Sequence, residues 1–163
     1  MSRYSFIATN YEIPEIDNTN IKFITVKEAI DLGIKPHEFV PWEEMDPDAK
    51  VLFCENEDDL DELVITKEAT FGDCGFTNHP FIYQIDFFYS IKRVNQLLEY
   101  LKENIKEGQV LELWRVWNSD DMDELNIPFS RCSYNALSLN QLSQMYNWQN
   151  EKYKKQCCLI IER

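Results

Sequence analysis

The clearest pattern in the chain is a change of hydrophobic period that occurs twice between residues 81 and 162. "HPFIYQIDFFY" is aromatic and β-branched and predicts a strand over about 81–88. Ser90 then stands where a helix N-cap belongs. Ile91, Val94, Leu97, Leu98, Leu101 and Ile105 recur at the spacing of one helical face, and Lys106 and Gly108 supply stop signals. "QVLELWRVW" (109–117) predicts a second strand, "NSDDMDELNIP" a loop, and "FSRCSYNA" (129–136) a third strand. Ser138 and Gln141 have capping-box spacing ahead of Leu139, Leu142, Met145 and Tyr146, one face of a short helix. "QCCLIIE" (156–162) predicts the last strand. The order is βαββαβ, which predicts an α+β protein with a ferredoxin-like C-terminal half over about 80–163 and both helices on one sheet face.

The first 75 residues are less regular. "RYSFIATN" predicts a strand, and "NIKFITVKEAIDLGI" a strand running into a short helix, with Thr25 and Glu28 as its capping box and Gly33 as its stop. The irregular but apolar segment 36–42 ends in Trp42 and is expected to pack. "AKVLFCE" (49–55) and "ELVITKE" (62–68) are two further strands, expected to form a hairpin with "NEDDLD" at its tip. No Gly/Ser-rich linker separates the halves. The expectation is therefore one integrated domain, 1–163, in which a β-rich part (1–75) packs on, or adds to, the sheet of 80–163.

Composition adds a compartment and a charge. The chain has 163 residues, of which 44% are hydrophobic, enough for a core. Neither a leader pattern at the start nor an apolar run of spanning length is present, so a soluble, cytoplasmic protein is expected. Five cysteines, an odd number with Cys157 and Cys158 adjacent and none in Cys-x-x-Cys spacing, suit free thiols. The net charge of −13 is concentrated: residues 43–62 hold ten acids and one base, and residues 120–124 hold four acids, so the remainder is neutral. Nucleic acid and anionic membrane are thereby disfavoured as direct partners.

Six carboxylates crowd the eight positions Glu55–Glu62. A calcium loop starting at Glu55 would place Leu60 where a turn glycine is needed and Thr66 where the terminal acid is needed, so the EF-hand pattern fails. The stretch around Asp120, Asp121 and Asp123 likewise has no glycine. Flanking apolar strands argue against a disordered acidic run. What remains is a solvated turn serving solubility, or a surface for a basic partner.

Other chemistry is sparse. Asp73, Cys74 and His79 bring an acid, a thiol and an imidazole together near Gly72 and Gly75. These are the residue types of an activated cysteine, although hydrolase partners usually come from distant elements and Asp73 opposes thiolate formation. Zinc would need Cys74 and His79 plus Cys54, Cys132, Cys157 or Cys158, without paired-ligand spacing. Asp86 and Glu112 lie within strands and could act as acid and base on an open sheet face. Phosphate-cradling glycine motifs are absent.

These observations predict a non-enzymatic acidic binding module without metal or cofactor. Its most concrete form is an immunity or inhibitor protein neutralising a basic enzyme. The expected surface comprises Glu55, Glu57, Asp58, Asp59, Asp61, Glu62, Asp120, Asp121 and Asp123, with Trp42 and Trp114 as aromatic anchors. A small enzyme or sensor built on Cys74 and His79, and a subunit of a homodimer or larger assembly, are the rival readings.

Overall fold

The computed structural model describes residues 2–36, 40–68, 75–118, 127–147 and 156–163. Its strands are β1 (Ser2–Thr9), β2 (Ile16–Asp17), β3 (Lys22–Thr25), β4 (Lys50–Phe53), β5 (Val64–Lys67), β6 (Phe81–Asp86), β7 (Val110–Asn118), β8 (Phe129–Ser133) and β9 (Cys157–Glu162). Its α-helices are α1 (Val26–Asp31), α2 (Ile91–Asn104) and α3 (Leu139–Tyr146). The fold is α+β, with a seven-stranded mixed open sheet and a separate two-stranded hairpin. The chain divides into two compact units, Met1–Asn18 with Glu62–Arg163, and Thr19–Asp61. No helix among the described residues is long and apolar enough to cross a membrane.

All three capping predictions hold. Thr25 and Glu28 close a full capping box at α1, Ser138 and Gln141 do so at α3, and Ser90 Oγ accepts the Arg93 amide at α2. Each satisfies backbone donors that the first helical turn leaves free, worth about 1 kcal/mol.

In the larger unit the strand order is β2-β5-β6-β1-β7-β9-β8. Every neighbouring pair is antiparallel except β8–β9, which is parallel. The βαββαβ sequence of elements is present, but the ferredoxin-like arrangement is not. That arrangement is antiparallel throughout and built from the C-terminal strands alone. Here β1 lies between β6 and β7 and pairs with both, so β6 and β7 run parallel with the N-terminal strand inserted between them. Helix α2 makes that crossover, and α3 makes a second one between the adjacent parallel strands β8 and β9. The N-terminal segment therefore adds to the sheet at its centre.

Both helices pack on one sheet face. Val94, Leu97 and Leu101 of α2 and Leu142, Met145 and Tyr146 of α3 share a core with Ile7, Tyr83, Ile85, Leu111, Leu113, Leu159 and Ile161. Strand alternation sends the intervening residues to the other face. There Phe6, Ala8, Ile82, Trp114, Val116, Cys158 and Ile160 form a second core with Ile127.

In the smaller unit β3 and β4 pair with Phe23 opposite Leu52, and Val26 and Ala29 of α1 are buried. Strands β4 and β5 do not form the expected hairpin. β4 pairs with β3, whereas β5 pairs with β2 and β6. Alternation specifies which face a strand buries, not which strand it joins.

Candidate acidic docking surface

The segment between β4 and β5 is an ordered 3-10 helix, Glu57–Asp61. Asn56 starts it: its carbonyl accepts from the Asp59 amide at 3.0 Å, and its side chain accepts from the Asp58 amide at 3.4 Å. Cys54 Sγ lies 2.9 Å from the same carbonyl. Glu55, Glu57 and Asp58 stand in solvent, and Asp59 and Asp61 are half-buried. Burying several unpaired carboxylates would exceed the stability of a domain, so this exposure is the physical requirement. Lys22 Nζ reaches Glu55 at 3.4 Å in an exposed pair.

Next to these acids is an uncovered apolar pair. Phe23 is 67% exposed and Leu52, directly across the hairpin, is 53% exposed. Lys22, the partner of Glu55, precedes Phe23 in β3, and Glu55 follows β4 closely. Trp42 begins a short 3-10 turn, Trp42–Glu44; it is half-buried, with Glu43 and Glu44 exposed.

Two expected members of the surface are elsewhere. Trp114 is only 2% exposed. It stacks on Phe6 with centroids 5.7 Å apart, meets the Phe129 ring edge-on at 5.3 Å and contacts Phe76 at 5.8 Å. An indole so enclosed is core and cannot anchor a partner. Glu62 is also buried, its side chain 7% exposed. Lys92 Nζ donates to it at 2.8 Å, Gln96 Nε2 donates at 3.1 Å, and Arg93 Nε lies at 3.4 Å. The Lys92 hydrogen bond, helped by Gln96 and the two cations, holds its carboxyl below the usual range against the opposing effect of burial. Sequence reasoning grouped Glu62 with its exposed neighbours. The available signal was its place beside the apolar run Leu63–Ile65, with two cations in the first turn of α2.

Asp120, Asp121 and Asp123 lie outside the described residues, as do Asp73 and Cys74 of the thiol site. His79 is described, and it has a partner that was not foreseen. Its Nε2 lies 3.4 Å from Glu112 Oε1, while Glu112 Oε2 accepts the Trp114 indole proton at 2.7 Å. Asp86 shares the Glu112 face but not its neighbourhood. Ala8 pairs with both Ile82 and Glu112, so Asp86 stands four residues, roughly 13 Å, along the sheet. Its carboxylate instead accepts from Gln84 Nε2 at 2.6 Å. The two carboxylates do not converge as an acid–base pair. Among the described residues no three His, Cys, Asp or Glu side chains gather to hold a metal ion. Cys54, Cys132, Cys157 and Cys158 are free thiols.

No family model, curated protein or solved structure matches this chain.

Proposed function

We propose that residues 19–61 form an acidic docking module that recognises a basic protein. The observation that carries this reading is the coincidence of charge and uncovered apolar surface in one compact unit. Residues 19–61 contain twelve acids and four bases, a net −8 of the chain's −13. The same unit exposes Phe23 and Leu52 as a cross-strand pair. The acids would steer a cationic partner, raising its association rate about tenfold or more, and the apolar pair would slow its release. Glu55, Glu57 and Asp58 are exposed acids of this unit, and the half-buried Trp42 belongs to it too. A nuclease inhibitor is the concrete case, because a carboxylate surface competes with nucleic acid for a cationic active site.

The test compares three immobilised baits: the parent chain, a variant carrying Glu57→Gln, Asp58→Asn, Asp59→Asn and Asp61→Asn, and a variant carrying Phe23→Ser and Leu52→Ser. Basic proteins retained from the host lysate by the parent at low salt should be lost at high salt. The amide variant should bind the same proteins with a slower on-rate and a shallower salt dependence. The serine variant should release them faster. A partner that binds the amide variant as fast as the parent at low salt would reduce the acids to a solubility device.

A further inference from the structure

The large sheet ends in two unequal edges. β2 is only two residues long and offers no ladder, whereas β8 runs for five and pairs on one side only, with β9. The Cys158 amide donates to the Pro128 carbonyl at 3.0 Å, and that bond sets which main-chain groups of β8 turn inward. In a parallel ladder they alternate along the strand. Ser130 and Cys132 therefore bond to β9, and the N–H and C=O of Phe129, Arg131 and Ser133 turn outward. The Ser133 carbonyl accepts from the Leu137 amide at 3.1 Å, and the other outward groups have no partner among the described residues. Phe129, Ser130, Arg131 and Ser133 are all exposed. The Phe129 ring, although it meets Trp114 edge-on, is 60% exposed. Arg131 Nη1 donates to Glu162 Oε1 at 2.5 Å in an exposed pair, so the two side chains together carry no net charge.

We propose that β8 takes up an extended, uncharged peptide segment of another protein as an additional antiparallel strand. Outward N–H and C=O groups recur along β8 at every second residue, about 7 Å apart, and the backbone of another strand repeats at the same interval. Antiparallel pairing is the more stable arrangement per residue. In it, the incoming residue opposite Arg131 exchanges both bonds with it. The incoming residue two places on does the same with Phe129, and the one two places back accepts from the Ser133 amide. These incoming side chains share a face with those of β8. Opposite Phe129 an apolar side chain covers the exposed ring. Opposite Arg131 a neutral polar one is selected, because Arg131 repels a cation and its partner Glu162 repels an anion. A second copy of the chain is the poorer occupant. Twofold pairing of β8 with itself centres on Arg131 and sets that cation against its own copy, between chains that each carry −13. The edge belongs to the larger unit and is separate from the acidic surface of residues 19–61.

Amide hydrogen exchange on the full chain, read by NMR, tests this with an acetylated and amidated peptide, Ser-Thr-Thr-Gln-Thr-Ile-Ser. Its Gln would stand opposite Arg131 and its Ile opposite Phe129. Without peptide, the Ser130 and Cys132 amides should be protected by β9, while those of Phe129, Arg131 and Ser133 exchange as solvated amides. Peptide should slow exchange at Phe129, Arg131 and Ser133, saturating with a Kd of roughly millimolar order. Methylating the Gln nitrogen removes the donor to the Arg131 carbonyl and should weaken binding about tenfold. Methylating the nitrogen of the Thr that follows Gln, which points away from β8, should leave binding unchanged. Arg131→Pro is tolerated on an edge whose N–H faces solvent, so it should keep the fold and abolish the peptide's protection of Phe129 and Ser133. Exchange that millimolar peptide leaves unchanged would reduce the edge to a solvated strand and overturn the proposal. So would equal affinity of the two methylated peptides, or a larger loss from the second. Protection that appears without peptide and rises with protein concentration would give the edge to a second copy and overturn it too. Should Arg131→Pro fail to fold, the methylated peptides still decide it.

Discussion

Glu62 shows what one side chain's surroundings do to a charge. Its neighbours in the acidic stretch stand in water, whereas it is enclosed by Lys92, Arg93 and Gln96 of α2. Its folded pKa is lowered from 4.5, first through the Lys92 hydrogen bond. A lowered folded value means that the contribution to stability is complete above pH 4.5 and is lost as pH falls through the folded pKa. Glu62→Gln should therefore cost about 1–3 kcal/mol at neutral pH, leaving the buried Arg93 less well compensated. Urea denaturation should show the gap between variant and parent closing below that range. An equal gap at acid pH would assign the effect to packing. Cys158 makes the complementary point. Burial, then the nearby Glu112 charge, pushes its thiol up to about 12. Iodoacetamide at neutral pH should leave Cys158 unmodified in the folded chain and alkylate it in denaturant, as read by mass spectrometry.

At the level of elements, β1 decides the architecture. Ile7 is fully buried between β6 and β7, in the core that also receives α2 and α3. Ile7→Ala should cost about 2–5 kcal/mol in thermal or urea unfolding. Ile30→Ala, on the exposed side of α1, should change stability by no more than about 0.5 kcal/mol. Comparable losses at the two sites would contradict the central position of β1. That position was not legible in the sequence. Alternation in "RYSFIATN" and "QVLELWRVW" marks strands and their faces, and Ser90, Thr25–Glu28 and Ser138–Gln141 mark helix starts because capping is local chemistry. Partner choice is non-local, so the adjacent runs "VLF" and "LVI" predict one hairpin although they belong to different sheets. The same limit governed the site. Exposure of Glu57 and Asp58 followed from their run of charge, but the enclosure of Trp114 by Phe6, Phe76 and Phe129 depends on three distant segments.

For the molecule as a whole, the two compact units divide the work between stability and charge. Both hydrophobic cores draw every buried member from outside residues 19–61. Within 19–61 only Val26 and Ala29 are buried apolar side chains among the described residues, while most of the net charge is concentrated there. The ends of this insertion are already held together. β2 pairs with β5, and the Asn18 amide donates to the Leu63 carbonyl at 3.1 Å. Closing so short a gap costs little loop entropy. Replacing residues 19–61 by a Gly/Ser turn of about four residues should therefore leave a folded chain. It should retain cooperative unfolding and a dispersed NMR spectrum, with net charge reduced to −5. Retention of the basic partner should disappear. A shortened chain that does not fold would show that the sheet depends on the insertion. A folded one that still holds the partner at low salt would move the docking surface off residues 19–61.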